Sequence, residues 1–279
     1  LRTVIPPSIT FIIYGMITGE SIGDLFLSGI IPGLIFGFML CIMVFIKSKK
    51  NGWKGETQRA SLKEIGRLFL DTIWGLLSPV IVLGGIYSGL FTPPEAAAVA
   101  VVYSLIVGIF IYKELRLAEL KETLFSTAKT TGMILLIIMN AGIFSWVLTQ
   151  QGIAASLTEM ALALTDNKYI MLVIINIVFL CAGCVMDNTS ALYILVPIIM
   201  PIAKALDINM IQLGVILVLN LSIGQVTPPV GPNLYVAADI GKVKFEEICR
   251  KMVPLLLMSL LALLCITYIP ALSLCLIPS

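Results

Sequence analysis

The sequence contains no histidine, and only 12% of its 279 residues are charged. The first absence excludes histidine-based catalytic triads, histidine-ligated zinc or haem, and imidazole proton relays. The second excludes an ordinary water-soluble globule, which would carry roughly a quarter charged residues. The formal net charge of +2 is too small for a nucleic-acid-binding surface. The opening Leu1-Arg2-Thr3-Val4-Ile5-Pro6-Pro7 has no initiator Met and no basic region ahead of a short apolar stretch, so it does not read as a signal peptide. What the chain has instead is 59% apolar residues, a mean hydropathy of +1.05 and 14 prolines. Such a composition belongs in a bilayer, where that much proline is unexpected. Five of the six cysteines lie in apolar runs, where cysteine behaves as a small hydrophobe. Cys181-Ala-Gly-Cys184 has redox spacing but no βαβ context, and reads as structural.

A span needs roughly 20 apolar residues. The sequence predicts spans over 25–46, 68–90, 96–112, 131–148 and 253–276. The basic residues sort the loops. Residues 47–67 carry seven, 113–129 four and 242–251 four of the 18 Lys and Arg, which predicts that these loops face the cytoplasm. The loop around Glu20 and Asp24 has acids only and is predicted outside. Two cytoplasmic stretches carry apolar residues on one helical face. They are 59–70, through Leu62, Ile65, Phe69 and Leu70, and 112–129, through Leu117, Leu120, Leu124 and Phe125. Both are predicted to be helices lying in the interface plane.

The prolines mark an internal repeat. Ile5-Pro6-Pro7-Ser8 matches Thr227-Pro228-Pro229-Val230 at an offset of 222 residues, and at that offset Gly19 matches Gly241 and Pro32 matches Pro254. Each copy predicts a Pro-Pro break, a half-span, a loop, and then a Pro opening a full span. The loops after the breaks differ in charge, so the copies are predicted to be inverted in the membrane. Inverted repeats with broken helices are the architecture of secondary transporters. Before the second break, 169–181 and 191–205 form two apolar arms, too short to span, around the polar tip 182–190. This predicts a re-entrant hairpin over 168–206, followed by a broken helix over 210–240. No matching hairpin precedes the first break, which together with the missing Met predicts the C-terminal part of a longer transporter. The predicted organisation is 1–46 as the end of the first repeat, 47–130 as cytoplasmic amphipathic arms with scaffold spans, and 131–279 as the second repeat.

Asp187 is the one acid deep in an apolar stretch, with its nearest basic neighbours in sequence, Lys168 and Lys204, at the hairpin's ends. A charge there needs a partner or water. Two compatible readings follow: Asp187, Asn188 or Thr189 caps the next helix, and a small cation is the partner. In the second break, Pro228, Pro229 and Pro232 lack N–H groups, so carbonyls one turn earlier lose their helical donors. Carbonyls with Ser, Thr and Asn oxygens suit a hard cation such as Na⁺, and half-helix N-termini suit an anionic substrate. The bland reading is a kinked helix satisfied by its neighbours.

At this point the chain resembles a known family. Ile5-Pro6-Pro7-Ser8, Ser28-Gly29-Ile30-Ile31-Pro32-Gly33, Gly84 to Ala96, the Met186-Asp187-Asn188-Thr189 tip and Thr227-Pro228-Pro229-Val230-Gly231-Pro232-Asn233-Leu234 resemble the large, M-type membrane subunit of TRAP transporters, in the ion transporter superfamily. Pro94 departs from the family's usual Thr. The resemblance implies an all-α membrane protein, an inverted-repeat secondary transporter of elevator type, in the bacterial inner membrane. It implies Na⁺-coupled uptake of an organic acid such as a C4-dicarboxylate or sialic acid. The implied partners are a small membrane subunit (Q-type), a periplasmic substrate-binding protein (P-type) and the lipid bilayer, with no nucleic acid. Carried over, the second-repeat Na⁺ site falls on Gly183, Met186, Asp187, Thr189, Gly224, Thr227, Pro228 and Val230. The first-repeat site keeps only Pro6, Pro7 and Ser8. Asn188, Ser190, Pro229, Gly231 and Asn233 are the candidate substrate contacts, and no catalytic residue is expected. The alternatives are another Na⁺-coupled carboxylate carrier or a membrane-embedded enzyme. The enzyme would need paired carboxylates or a Ser/Lys site, and Asp187 stands alone in its stretch.

Overall fold

Where the chain turns, a short polar side chain, a proline or a glycine in the left-handed region sets the turn. The computed structural model describes residues 3–53 and 61–277. It is built from helices, with no strand among the described residues. In chain order these are α1 (Ile9–Thr18), α2 (Ile22–Asn51), α3 (Leu62–Tyr87), α4 (Pro93–Ile106) continued by a π-helical turn (Val107–Ile111), α5 (Leu117–Gln150), α6 (Ile153–Leu164), α7 (Lys168–Val185), α8 (Asn188–Ala205), α9 (Met210–Gly224), α10 (Pro232–Gly241), α11 (Phe245–Tyr268) and α12 (Ala271–Leu274). Asn167, Asp187 and Asn209 each accept backbone N–H bonds at the starts of α7, α8 and α9. Such caps satisfy donors that a helix start leaves open. Among the described residues seven helices are long and apolar enough to cross a membrane by length and composition: α2, α3, α4 with its π turn, α5, α7, α8 and α11. The chain is a multi-pass, all-α membrane protein.

Several sequence expectations change. The hairpin arms are 18 residues each, not 13–15, because α7 stays helical through Cys184 and Val185 and α8 begins directly at Asn188. At 1.5 Å per residue each is about 27 Å long, close to the hydrocarbon thickness, so length does not set them apart from spans. The predicted in-plane helices are not separate elements. Of the first, Arg59 and Ala60 lie outside the described residues, as does Lys54 of the same basic loop. The rest is the start of the unbroken α3, and the second is non-helical over 112–116 and from Leu117 runs on within α5. The lone Gly66 costs a helix only about 1 kcal/mol, too little to break it. The last span is Phe245–Tyr268 rather than 253–276, because Ile269 precedes Pro270 and adopts a non-helical conformation. Pro32 and Pro254 do not open spans. They lie about ten residues inside α2 and α11.

The chain forms two units, Leu1–Lys47 with Ile137–Ser279, and Ser48–Leu136. The first is organised around α9. Twelve of its 15 residues are buried, and it is contacted by α1, α7, α8, α11 and α12. A helix apolar all round belongs inside, and 15 residues reach only about 22 Å. Tyr14 crosses from α1 and donates to the Met210 carbonyl at 2.6 Å. Polar side chains inside this core bond one another, while Asn220 Oδ1 stays buried without a hydrogen-bond partner. Asn220 Nδ2 donates to Asn176 Oδ1 at 2.6 Å, and Asn176 Nδ2 to Thr267 Oγ1 at 3.1 Å. Gln212 Nε2 donates to the Thr267 carbonyl at 3.0 Å. The repeat has a structural counterpart: α1 and α10 are both ten residues long, and α2 and α11 follow each at matching positions to within one residue. The Pro6–Pro7 and Pro228–Pro229 bonds are both cis.

In the second unit α3 lies against α4. Tyr103 donates to the Trp74 carbonyl at 2.7 Å and Tyr112 to the Asp71 carbonyl at 3.0 Å. Glu95 accepts from Thr92 N at 2.8 Å and from Thr92 Oγ1 at 2.7 Å, closing the start of α4. Most large apolar side chains of α3 are exposed, as expected of a surface that faces lipid or another subunit.

Candidate functional site

The site is built where α7 meets α9. Gly183 near the end of α7 and Gly224 at the end of α9 touch backbone to backbone. A Cβ on Gly224 would lie 2.6 Å from Gly183 Cα, and one on Gly183 would lie 3.1 Å from Gly224 Cα. Only glycine permits this approach. It brings the hairpin tip, Met186–Asp187, beside the break between α9 and α10. The two are stitched by Gly231 N donating to the Cys184 carbonyl at 3.1 Å. Gly231 itself has a left-handed backbone, φ +52°.

The prolines leave carbonyls to be accounted for. Pro228 and Pro229 cannot donate to the carbonyls of Gly224 and Gln225. In their place Thr227 N donates to Gly224 O at 2.9 Å and Asn233 N to Gln225 O at 3.2 Å. Thr227 Oγ1 donates to the Ile223 carbonyl at 2.7 Å. Each carbonyl keeps a second lone pair. At the first break, Ser8 Oγ donates to the Thr3 carbonyl at 2.5 Å, and Thr3 Oγ1 lies 2.5 Å from Ser222 Oγ on α9.

Asp187 caps α8. Its Oδ2 accepts from Thr189 N at 3.0 Å and Ser190 N at 3.1 Å, and its Oδ1 accepts from Ser190 Oγ at 2.6 Å. The side chain is exposed, and no Lys or Arg pairs with it among the described residues. The N-terminal dipole of α8 supplies part of what its charge needs.

The predicted residues converge unevenly. Pro7 and Ser8 of the first break share one cleft of about 510 Å³ with Asp187, Asn188, Thr189 and Gln225. Two residues from each of the sets assigned to separate ion sites, Pro7 and Ser8 with Asp187 and Thr189, therefore line one cleft. Pro6 is buried and does not line this cleft. Met186, Gly183, Gly224 and Thr227 form the tip and the break beside it. Pro228, Pro229 and Val230 are exposed on the loop beyond. Ser190 serves the Asp187 cap, and Asn233 donates from Nδ2 to Gln225 Oε1 at 3.0 Å. Asn188 is 8% exposed, and its Oδ1 is buried with no hydrogen-bond partner. Among the described residues no group of three or more His, Cys, Asp or Glu could hold a metal ion. The oxygens on offer are hydroxyl, amide, backbone and a single carboxylate. Sequence reasoning passed over Gln225, Thr3 and Thr10. Gln225 carried a signal, being a lone amide between Gly224 and Val226 in an apolar stretch.

A multi-pass helical chain with two helix breaks gathered at one cleft has the design of a membrane carrier. The comparisons specify which. The family model for the tripartite ATP-independent periplasmic transporter, DctM component, matches residues 2–272. The chain belongs to this family, the large permease subunits of TRAP transporters. It is 42% identical over 276 residues to the C4-dicarboxylate TRAP transporter large permease protein DctM of Pseudomonas aeruginosa, covering 99% of this chain and 64% of that protein. It is 40% identical over 271 residues to the isethionate TRAP transporter permease protein DctMQ of Oleidesulfovibrio alaskensis, covering 97% and 43%. It is 36% identical over 271 residues to the sialic acid TRAP transporter large permease protein SiaM of Vibrio cholerae, covering 97% and 63%. The chain thus spans less than two thirds of the length of these relatives. They are transporter permeases, not enzymes.

Proposed function

We infer that the protein acts in Na⁺-coupled uptake of an organic acid, a C4-dicarboxylate, sialic acid or a related carboxylate, as the large membrane subunit of a tripartite transporter. One observation carries the reading: the cleft that unites the first break, the Asp187 tip and the second break. Asp187, Thr189, Thr227 and the carbonyls around Gly183 and Gly224 offer hard oxygens for Na⁺. The α8 N-terminus and the amide of Asn188 suit the carboxylate of a substrate. Ser190, Pro229, Gly231 and Asn233 border that position. Pro7 and Ser8 complete the cleft from the opposite repeat, and Pro6 holds their segment in the core. The α7–α8 pair acts as a re-entrant hairpin and moves with α9 and α10 in an elevator motion. The small membrane subunit supports the large one, and a periplasmic binding protein delivers the acid. The DctMQ relative, by its name, favours such a pairing. The bacterial relatives favour the inner membrane.

The test is uptake into proteoliposomes holding the complete transporter, with its binding protein supplied outside. An inward Na⁺ gradient is expected to drive accumulation of a labelled carboxylate, and a K⁺ gradient is not. Uptake indifferent to Na⁺ overturns the coupling. Failure with every carboxylate while a neutral solute accumulates overturns the substrate class.

A further inference from the structure

Thr3 ties the two breaks together. At the repeat offset of 222 residues it matches Gln225, and both residues stand three positions before their Pro-Pro pair. Each is bonded from the far side of its own break. Ser8 Oγ donates to the Thr3 carbonyl at 2.5 Å, and Asn233 N donates to the Gln225 carbonyl at 3.2 Å. Thr3 makes a further bond that crosses from one copy to the other. Its Oγ1 lies 2.5 Å from Oγ of Ser222, two residues before Gly224 on α9. Proton counting gives the direction of that bond. A serine hydroxyl has one proton to donate, and Ser222 donates its own to the Val218 carbonyl at 2.7 Å. Thr3 is therefore the donor, and Ser222 carries the bond on into the backbone of α9.

Packing holds the same segment from α2. Val4 is fully buried, and a Cβ on Gly29 would lie 2.9 Å from its carbonyl oxygen. A Cβ on Gly33 would lie 2.8 Å from Ile5 Cγ1. Packing contacts of this kind are non-directional, so they press the segment inward without fixing its register. A hydrogen bond has a preferred distance and angle, and does fix it. The two ends of the Thr3–Ser222 bond lead to different parts of the site. On the α9 side, the Gly224 and Ile223 carbonyls accept from Thr227 N at 2.9 Å and Thr227 Oγ1 at 2.7 Å, among the oxygens offered to Na⁺. On the other side, Pro7 and Ser8 wall the cleft that Asp187, Asn188 and Thr189 also line, and Thr3 borders it too.

We propose that Thr3 is a positioning residue, through which Na⁺ at the second break raises the affinity of the cleft for its carboxylate. The inference rests on the Na⁺-coupled reading given above. A cation that gathers the carbonyls at the end of α9 fixes Ser222 with them. The Thr3 bond passes that order to the Ser8 wall, so the substrate meets a wall already in place. By linkage, bound substrate tightens Na⁺ by the same factor. Without the bond, the substrate orders the wall unaided, and Na⁺ contributes less to its binding.

The test is the KM for a labelled carboxylate at low and at saturating Na⁺, measured on the complete transporter in proteoliposomes with its binding protein outside. In the unmodified protein KM is expected to fall as Na⁺ rises. Thr3→Val keeps the shape and removes the donor, and is expected to shrink that fall about fivefold, the worth of one hydrogen bond. Ser222→Ala removes the acceptor and is expected to do the same, with the double variant no worse than either alone. Thr3→Ser restores the hydroxyl and is expected to restore the full response. A Thr3→Val protein whose KM rises by one factor at every Na⁺ concentration overturns the proposal, since a merely structural role acts that way. So does a Thr3→Ser protein that behaves as Thr3→Val, or losses that add in the double variant. Unmodified protein that accumulates substrate equally well without Na⁺ overturns the Na⁺-coupled reading as a whole. Unmodified protein that needs Na⁺ but shows one KM at all Na⁺ concentrations overturns this inference alone.

Discussion

Gly183 and Gly224 meet with no side chain between them: a Cβ on Gly224 would sit 2.6 Å from both Cα and C of Gly183. This contact sets the spacing between hairpin tip and helix break, and hence the width of the cleft. Gly224→Ala is expected to force α7 and α9 apart at a cost of about 1–3 kcal/mol. The check is the thermal unfolding midpoint of the purified protein. Gly142→Ala, where an added Cβ meets nothing within 4 Å, is expected to leave the midpoint in place. Equal midpoints for both variants would refute the contact's role.

Asp187 serves two purposes that substitution separates. Asn and Ser cap a helix about as well as Asp, whereas Ala costs about 0.5–2 kcal/mol. Asp187→Asn is therefore expected to keep the unfolding midpoint near that of the unmodified protein while raising the Na⁺ concentration for half-maximal uptake. Asp187→Ala is expected to lose both. Uptake by Asp187→Asn with unaltered Na⁺ dependence would reduce Asp187 to a cap alone.

Asn220 holds the buried amide chain together by donating to Asn176 Oδ1. Asn220→Ala leaves that oxygen without its donor in a fully buried site, at an expected cost of about 1–2 kcal/mol. A double-mutant cycle with Asn176→Ala, read by unfolding, is expected to show coupling between the two. Additive losses would place the stabilisation in packing instead.

Gln225 is neutral and borders the transport cleft. Gln225→Glu puts a second negative charge there, beside Asp187, and is expected to raise the KM for a carboxylate about tenfold, a difference of about 1.4 kcal/mol. Gln225→Met removes the amide without adding charge and is expected to raise it less. Uptake kinetics of the two variants decide the point, and equal KM values would take the anionic group of the substrate away from this residue.

Much of the architecture was legible because lipid leaves a chain few options. Apolar runs bounded by Lys and Arg located α2 to α5, since uncharged stretches of membrane length are read directly from composition. Pro-Pro at 6 and 228 located both breaks, since proline removes a donor wherever it stands. Asp187 was legible as a cap from its position between two apolar arms. Less was legible at helix ends. The arms at 168–185 and 188–205 lengthened because Gly183 and Cys184 are tolerated in a helix whose neighbours satisfy it. The last span shifted because Pro270, not the end of the apolar run, stops the helix.

Composition and local chemistry are enough for a multi-pass helical membrane protein, the two proline breaks and the polar tip between α7 and α8. These are local properties of composition and of residues that lack an N–H or carry a capping oxygen. Tertiary structure alone decided that Pro7 and Ser8 join Asp187 and Gln225 around one cleft, and that Asn176, Asn220 and Thr267 bond one another inside the core. It also decided that α9 is the buried centre of its unit. Those facts depend on which helices come into contact. In an almost uniformly apolar chain, hydropathy does not distinguish a helix facing lipid from one facing protein.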